Sequence, residues 1–442
     1  MNLTTSALFV GLLCTSPAFA TDVLEQGFEA TPQVLPGGSS TRTLSSGDII
    51  TVDSVGVDRW KADGTFVQNL GVFPTSIFGG CFDVDPTESF AIVGRTDSSA
   101  TPNPVYRVAL DGSGMTQIAD IVFNYDGAFT ASGDYYLSAA IGGFGAGNSL
   151  LRVDTTTGAV TELGQLPGAS GPIGVDALGN LYYATISSMF PAPAGSTDVV
   201  LFTAADLATA DCNLGTCLGL GDAIPFATGY DGASSLVVDK RTGHAYMVEN
   251  NFGTGANRIW AITGGPSSGT PLVEGQTFNW MSNLEVQSGV AAPELRAYQP
   301  ADDARLFYTT TDFVNPAVRS QVQAKRSELQ LSGAGLLGAG TVDITVTGAE
   351  PGGGALLFFG PTALVSGTEG AFSLAGVVPT LFTGLDLASV QVFGGVLPVD
   401  GAGSASTSFL NPGGYAGLVT LQALVLDTNL VDILGTSTSS PF

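Results

Sequence analysis

The sequence predicts an all-β chain in two unequal parts, and three observations carry that prediction. A chain of 442 residues with 60 glycines and no long helical periodicity has the composition of many short strands joined by tight turns. A unit of strand, acidic turn and strand recurs through most of the chain, its copies starting roughly 46 to 60 residues apart, which is the spacing of four-stranded units stacked in a ring. Composition then shifts after Arg326: no Lys or Arg follows, and short Val, Leu, Ile and Thr runs are broken by Gly and Pro.

Residues 1–20, MNLTTSALFVGLLCTSPAFA, hold an apolar segment from Ala7 to Leu13 and the small-x-small pattern Ala18-Phe19-Ala20. They predict a signal peptide cut after Ala20, and hence a secreted, cell-surface or periplasmic protein. Residues 21–45, with Pro32, Pro36 and a GGSS run, read as an extended arm leading into the first folded unit. The ring itself is expected over residues 46–313. Gly47 to Phe73 supplies most of one unit. The inner pairs of the next copies align as FDVDPTESFAIVG from Phe82, GAFTASGDYYLSA from Gly127, IGVDALGNLYYAT from Ile173 and SLVVDKRTGHAYMV from Ser235. One four-stranded unit cannot bury both of its faces, whereas radial stacking covers them and ring closure protects the edges. The fold class is therefore a β-propeller, with Phe90, Tyr182, Tyr183, Tyr246 and Trp260 packed between blades. Counting Asn279 to Phe313 as a blade completed by an N-terminal strand gives six blades. If SNLEVQS instead supplies the inner strand of the first blade, the count is five.

Residues 314–326, VNPAVRSQVQAKR, carry the clustered bases Arg319, Lys325 and Arg326 and read as a linker, a short helix or extended segment docked on acidic neighbours. Residues 327–442 present strand-length apolar runs with no helix between them, the pattern of a β-sandwich.

With 39 acids against 14 bases the net charge is −25, which disfavours nucleic acid and anionic lipid as partners. Beyond the leader no apolar run approaches the ~18 residues of a membrane-spanning helix. Cys212 and Cys217, in ADCNLGTCLG, suit a local disulfide in an oxidising compartment, and Cys81 suits a buried apolar position. The sole histidine, His244, has no nucleophile elbow to serve.

Propellers bind ligands where loops converge on the channel. The segments approaching each inner strand are Phe78 to Gly80, Asn124 to Gly127, Ser170 to Gly174, Gly229 to Gly232, and Trp280 to Asn283. Two of them share Tyr-Asp-Gly, placing Asp126 and Asp231 at equivalent positions, with Asn283 at the same level in another blade. Two carboxylates and an amide oxygen near an axis would suit Ca²⁺ or another divalent cation. The opposing reading is a plain turn, each Asp bonded to nearby backbone.

The stretch Gly171 to Thr185, GPIGVDALGNLYYAT, resembles the blades of the NHL, gluconolactonase and SMP-30-like propeller group. GTVDITVTGAEPGGGALLFFG and GLVTLQALVLD resemble the C-terminal sandwich modules of secreted bacterial propeller proteins. The resemblance to the lactonases implies a channel metal held by acidic and amide side chains, activating water to open a lactone. Two functions follow. The first is a secreted, non-catalytic recognition or structural protein that binds a small molecule, glycan or cation at the channel mouth. The alternative is a metal-dependent hydrolase of the lactonase type using Asp126, Asp231 and Asn283. The two separate on whether those side chains converge on one point or bond to their own surroundings.

Overall fold

The recurring acidic turn folds for a local reason. Asp85 accepts hydrogen bonds from the backbone N–H groups of Thr87 (2.9 Å), Ser89 (2.7 Å) and Phe90 (2.7 Å), closing the chain on itself between two strands. Asp176 does the same with Leu178 and Asn180, both at 2.9 Å, and Asp154 with Thr156 at 2.8 Å and Thr157 at 3.0 Å. Between these turns the strands alternate or are wholly apolar, so each hairpin lays a buried face against its neighbour.

The computed structural model describes residues 23–24, 28–34, 40–74, 78–96, 101–143, 147–189, 191–240, 245–262, 265–266, 271–277, 280–287, 305–311, 318–360, 369–372, 381–386, 391–414, 419–431, 433–437 and 440–441. The predicted signal peptide and His244 lie outside them. Among the described residues one α-helix occurs, Ala204–Thr209, and no helix is long and apolar enough to cross a membrane.

Six blades form the ring. Blade one is Ser40–Thr43, Ile49–Val52, Gly56–Trp60 and Phe66–Val72. Blade two is Phe78–Val84, Phe90–Thr96, Pro102–Ala109 and Met115–Val122. Blade three is Asn124–Phe129, Tyr135–Ala139, Asn148–Val153 and Val160–Leu166. Blade four is Ile173–Val175, Leu181–Ala184, Thr197–Phe202 and Ile224–Tyr230. Blade five is Ser235–Val238, Ala245–Asn251, Ala256–Ile262 and Val273–Glu274, with Val23–Leu24 added at its outer edge. Blade six is Trp280–Gln287, Arg305–Thr311, the first half of Val318–Ser332, and Phe28–Val34.

The six-bladed count holds over the five-bladed alternative, because SNLEVQS lies in the inner strand of blade six and not of blade one. Two boundaries differ from the sequence reading. The segment expected as an extended arm contains both the inner strand of blade one and the outer strand of blade six. The segment expected as a linker over 314–326 is, from residue 318, part of one fifteen-residue strand, Val318–Ser332. Its first half pairs with Arg305–Thr311 and Phe28–Val34 in the propeller. Its second half pairs with Gly340–Thr347, and parallel to Ile433–Ser437, in the second unit.

That second unit is a β-sandwich. In Gly340–Thr347, Val342, Ile344 and Val346 are fully buried while Thr341 and Asp343 face solvent. They pack with Ala355, Leu357, Leu421, Ala423 and Val425 from the opposing sheet. Separate apolar clusters fill the junctions between successive blades from one to six. The cluster between blades five and six also takes in Phe358 and Leu424 of the sandwich. Tyr182, Tyr183 and Tyr246 are buried in these clusters, as expected of blade packing.

At the closing junction, between blades six and one, the described residues show a charged clasp. Arg319 donates to Glu285 at 3.0 Å and to the hydroxyls of Thr41 (3.2 Å) and Thr43, and its guanidinium lies 3.7 Å from the centre of the Phe307 ring. Both charged side chains are nearly inaccessible, at 2% and 8%. Burial pulls the Arg319 pKa down, and the Glu285 carboxylate offsets part of that pull.

Candidate functional site in the central channel

The innermost strand of every blade presents an unpaired edge to the channel, and buried backbone N–H groups there need acceptors. Acidic and hydroxyl side chains supply them by reaching from one blade to the next. Asp83 of blade two accepts from the Phe129 N–H of blade three at 2.9 Å, and Asp126 of blade three accepts from the Ile173 N–H of blade four at 2.9 Å. Ser235 of blade five accepts from Leu284 of blade six at 2.9 Å, and Glu285 of blade six accepts from Thr43 of blade one at 2.6 Å. Between blades one and two, Arg42 donates to Asp83 and to the Phe82 carbonyl, both at 3.1 Å. The channel acids are thus staples of the ring.

The predicted site residues have separate surroundings. The other Asp126 oxygen accepts from the Gly127 N–H at 2.9 Å. Loss of hydration deep in the channel pushes its carboxyl pKa up to about 6, although the two N–H groups and the charge of Arg42 pull the other way. Asp231 follows the outer strand of blade four and accepts from the Gly195 N–H and the Asn251 amide, both at 2.9 Å. Asn283 sits in a bulge of the blade-six inner strand with φ of 52° and bonds to Ser282 and Thr309, both at 3.1 Å. Asp126 and Asp231 share no partner among the described residues. Among the described residues no three His, Cys, Asp or Glu side chains gather closely enough to hold a metal ion. The donor set proposed for Ca²⁺ therefore does not fit: its carboxylate oxygens already receive backbone and amide hydrogens.

The channel end where the inner strands begin, expected to be the ligand mouth, is bridged. Tyr125 of blade three reaches across to within 3.5 Å of the Ser234 carbonyl oxygen beside blade five, with Phe123 stacked beneath it at 6.1 Å. The open end is the opposite one, where the inner strands finish. There a pocket of about 350 Å³ is lined by residues from the inner strands of all six blades, among them Thr43, Val84, Ala128, Val175, Val238 and Val286. Lys240 lies at its rim and donates to the Phe129 carbonyl at 3.0 Å, a bond from blade five to blade three over the short inner strand of blade four. The sequence signal for this pocket was Lys240 itself, a base just past an inner strand in an acid-rich chain, which reads there as an ordinary turn residue.

The predicted disulfide joins Cys212 to Cys217 in the long outer connection of blade four, and Cys81 is buried between blades, where burial raises its thiol pKa to about 12.

No family model and no curated protein matches the sequence. Solved structures are similar at low identity. One is a gluconolactonase from Xanthomonas campestris, at 15% identity over 65% of this chain and 87% of that chain, with a TM-score of 0.41. A second is regucalcin from Agrobacterium tumefaciens, described as a calcium-binding protein, at 15% identity over 70% and 96%, with a TM-score of 0.39. A third is a carbohydrate-active enzyme from Trichoderma reesei, at 12% identity over 69% and 98%, with a TM-score of 0.46. The propeller architecture itself is given by the chain's own six four-stranded blades.

Proposed function

We propose that this propeller is a binding module that receives a small polar molecule in the pocket at the open end of its channel. The observation that supports it is the pocket itself: about 350 Å³, walled by all six inner strands, and backed by the Tyr125 bridge at the other end. That size falls at the small end of the roughly 300–1,000 Å³ typical of ligand sites. Its walls alternate valine methyls with backbone and charged groups, a mixture suited to a ligand with both carbon faces and polar edges. Recognition outside the cell, after removal of residues 1–20, completes the reading. N-terminal sequencing of the protein recovered from culture medium or periplasm tests that part, and a start other than Thr21 refutes the cut after Ala20.

Thermal-shift screening of sugars and small metabolites tests the pocket, with Val286→Phe as the blocked control. Ligands that stabilise both proteins equally would place binding elsewhere. A lactonase-type hydrolase is the second reading, favoured by the resemblance of the blade motif and by Asp126, a channel carboxyl whose pKa of about 6 would suit a proton acceptor. Its two oxygens are engaged by backbone N–H groups, so this reading requires them to be released. Hydrolysis of a lactone panel that Asp126→Asn leaves unchanged would remove Asp126 from it.

A further inference from the structure

We infer that the ligand of this pocket carries a carboxylate or similar oxyanion, received by Lys240. The inference rests on the binding-module reading and specifies the chemistry of the same pocket. At first sight the lining argues the reverse, since Asp83, Asp85, Glu88 and Glu285 outnumber Arg42 and Lys240 and would attract an amine.

The hydrogen bonds decide otherwise. Asp83 holds Arg42 with one oxygen and the Phe129 N–H with the other. Both Asp85 oxygens close their own turn on Thr87, Ser89 and Phe90. Glu88 takes the N–H of Ser45 at 2.5 Å and its hydroxyl at 2.7 Å. Glu285 takes the N–H of Thr43 and the guanidinium of Arg319. Arg42 is directed at Asp83 and at the carbonyls of Thr41 (2.9 Å) and Phe82 (3.1 Å). Every carboxylate oxygen of the lining thus accepts at least one hydrogen bond from the protein, and Asp83 and Glu285 each also hold a guanidinium.

Lys240 differs. Its ammonium carries three donors, of which the Phe129 carbonyl takes one. Among the described residues no carboxylate lies within ion-pairing distance of it, although the chain holds 39 acids, and Arg59, Lys61, Arg258 and Arg319 are each ion-paired. The Phe129 carbonyl holds the ammonium at the pocket rim, so little ordering is left for a ligand to impose. Counting Arg319 behind Glu285, three cations face four carboxylates, and the lining is close to neutral despite the chain's net charge of −25. Lys240 is therefore a cation of the lining with donors to spare and no carboxylate beside it, and a small organic acid completes it.

The test uses two matched sets of probes: glucuronate, glucose and glucosamine; and benzoate, benzyl alcohol and benzylamine. Binding to the full-length mature protein is followed by ligand-observed NMR and thermal shift, with Lys240→Gln and Val286→Phe in parallel. A charged hydrogen bond at this position predicts that an acid binds about tenfold to a hundredfold more tightly than its neutral and amine partners, and that Lys240→Gln abolishes the difference. Rising salt should weaken the acid and leave the neutral probe unaffected. If a neutral or amine probe binds best and Val286→Phe blocks it, the pocket reading stands and the oxyanion inference falls. If the acid binds equally well to Lys240→Gln, the inference also falls. If no probe binds, both are overturned.

Discussion

Ring closure through the Arg319–Glu285 pair makes a measurable claim about stability. Removing Glu285 leaves a guanidinium with 2% side-chain exposure without its carboxylate, and breaking such a buried pair costs about 3–5 kcal/mol. The same substitution strips the Thr43 N–H of its acceptor, and Arg319→Met likewise leaves a buried carboxylate behind. The double variant Glu285→Leu with Arg319→Met removes both charges and retains mainly the loss at Thr43, about 1–3 kcal/mol. The two single changes should therefore sum to far more than the double, with a coupling of at least about 3 kcal/mol. Urea unfolding followed by tryptophan fluorescence reads this directly. With an m value of about 4 kcal/mol/M for a chain of this size, each single variant should lower the midpoint by about 1 M. Single effects under about 1 kcal/mol, or strict additivity, would refute the clasp as the element that closes the ring.

Three further predictions concern other parts of the ring. Asp126, with a pKa of about 6 against an unfolded value near 3.9, is disfavoured as an anion in the folded state, so its contribution is fully present below about pH 4 and is lost as pH rises through 6. The unfolding free energy of the wild type relative to Asp126→Asn, from urea titrations, should therefore gain about 2–3 kcal/mol on going from pH 7 to pH 4, and a flat difference would contradict the shift. Gly158 has φ of 75° and a Cβ added there would lie 1.9 Å from the Ile118 carbonyl oxygen of blade two, while Gly47, at 84°, has nothing within 4 Å. Gly158→Ala should then cost roughly 3 kcal/mol or more against about 1 for Gly47→Ala, and equal melting points would remove the steric account. Replacing Cys212 and Cys217 by Ser should cost up to about 2 kcal/mol, because the bridged loop is short, and should make melting insensitive to dithiothreitol.

Much of the architecture is visible in the residues because its rules are local. The hairpins at Asp85 and Asp176 announce themselves by an Asp that folds its own turn and by strands that alternate around it. Ser40–Thr43 escaped that rule: STRT is polar, shares Ser40 with a GGSS run, and becomes a strand only through pairing with Ile49–Val52. Phe28–Val34 was hidden by Pro32, which a strand tolerates at a sheet edge such as the outer position of blade six. The cluster around Arg319 read as a linker docked on acidic neighbours, but nothing in the sequence names Glu285 as the acid it meets after ring closure. The site was less legible for the same reason. Asp126 stood out by position, but its oxygen is taken by the N–H of Ile173, 47 residues onward, and Lys240 meets Phe129 across 111 residues.

The continuous strand Val318–Ser332 leaves the molecule without a seam. A chain cut short before residue 318 would lose not only the sandwich but the strand against which Phe28–Val34 pairs, and with it the last two strands of blade six. A chain begun after that strand would leave Gly340–Thr347 without one of its two neighbours. Neither unit has a complete sheet without a segment of chain that also belongs to the other. Pulling on the sandwich is thus pulling on the closure of the ring, and a force or a protease that frees the sandwich should unzip the propeller at blade six first.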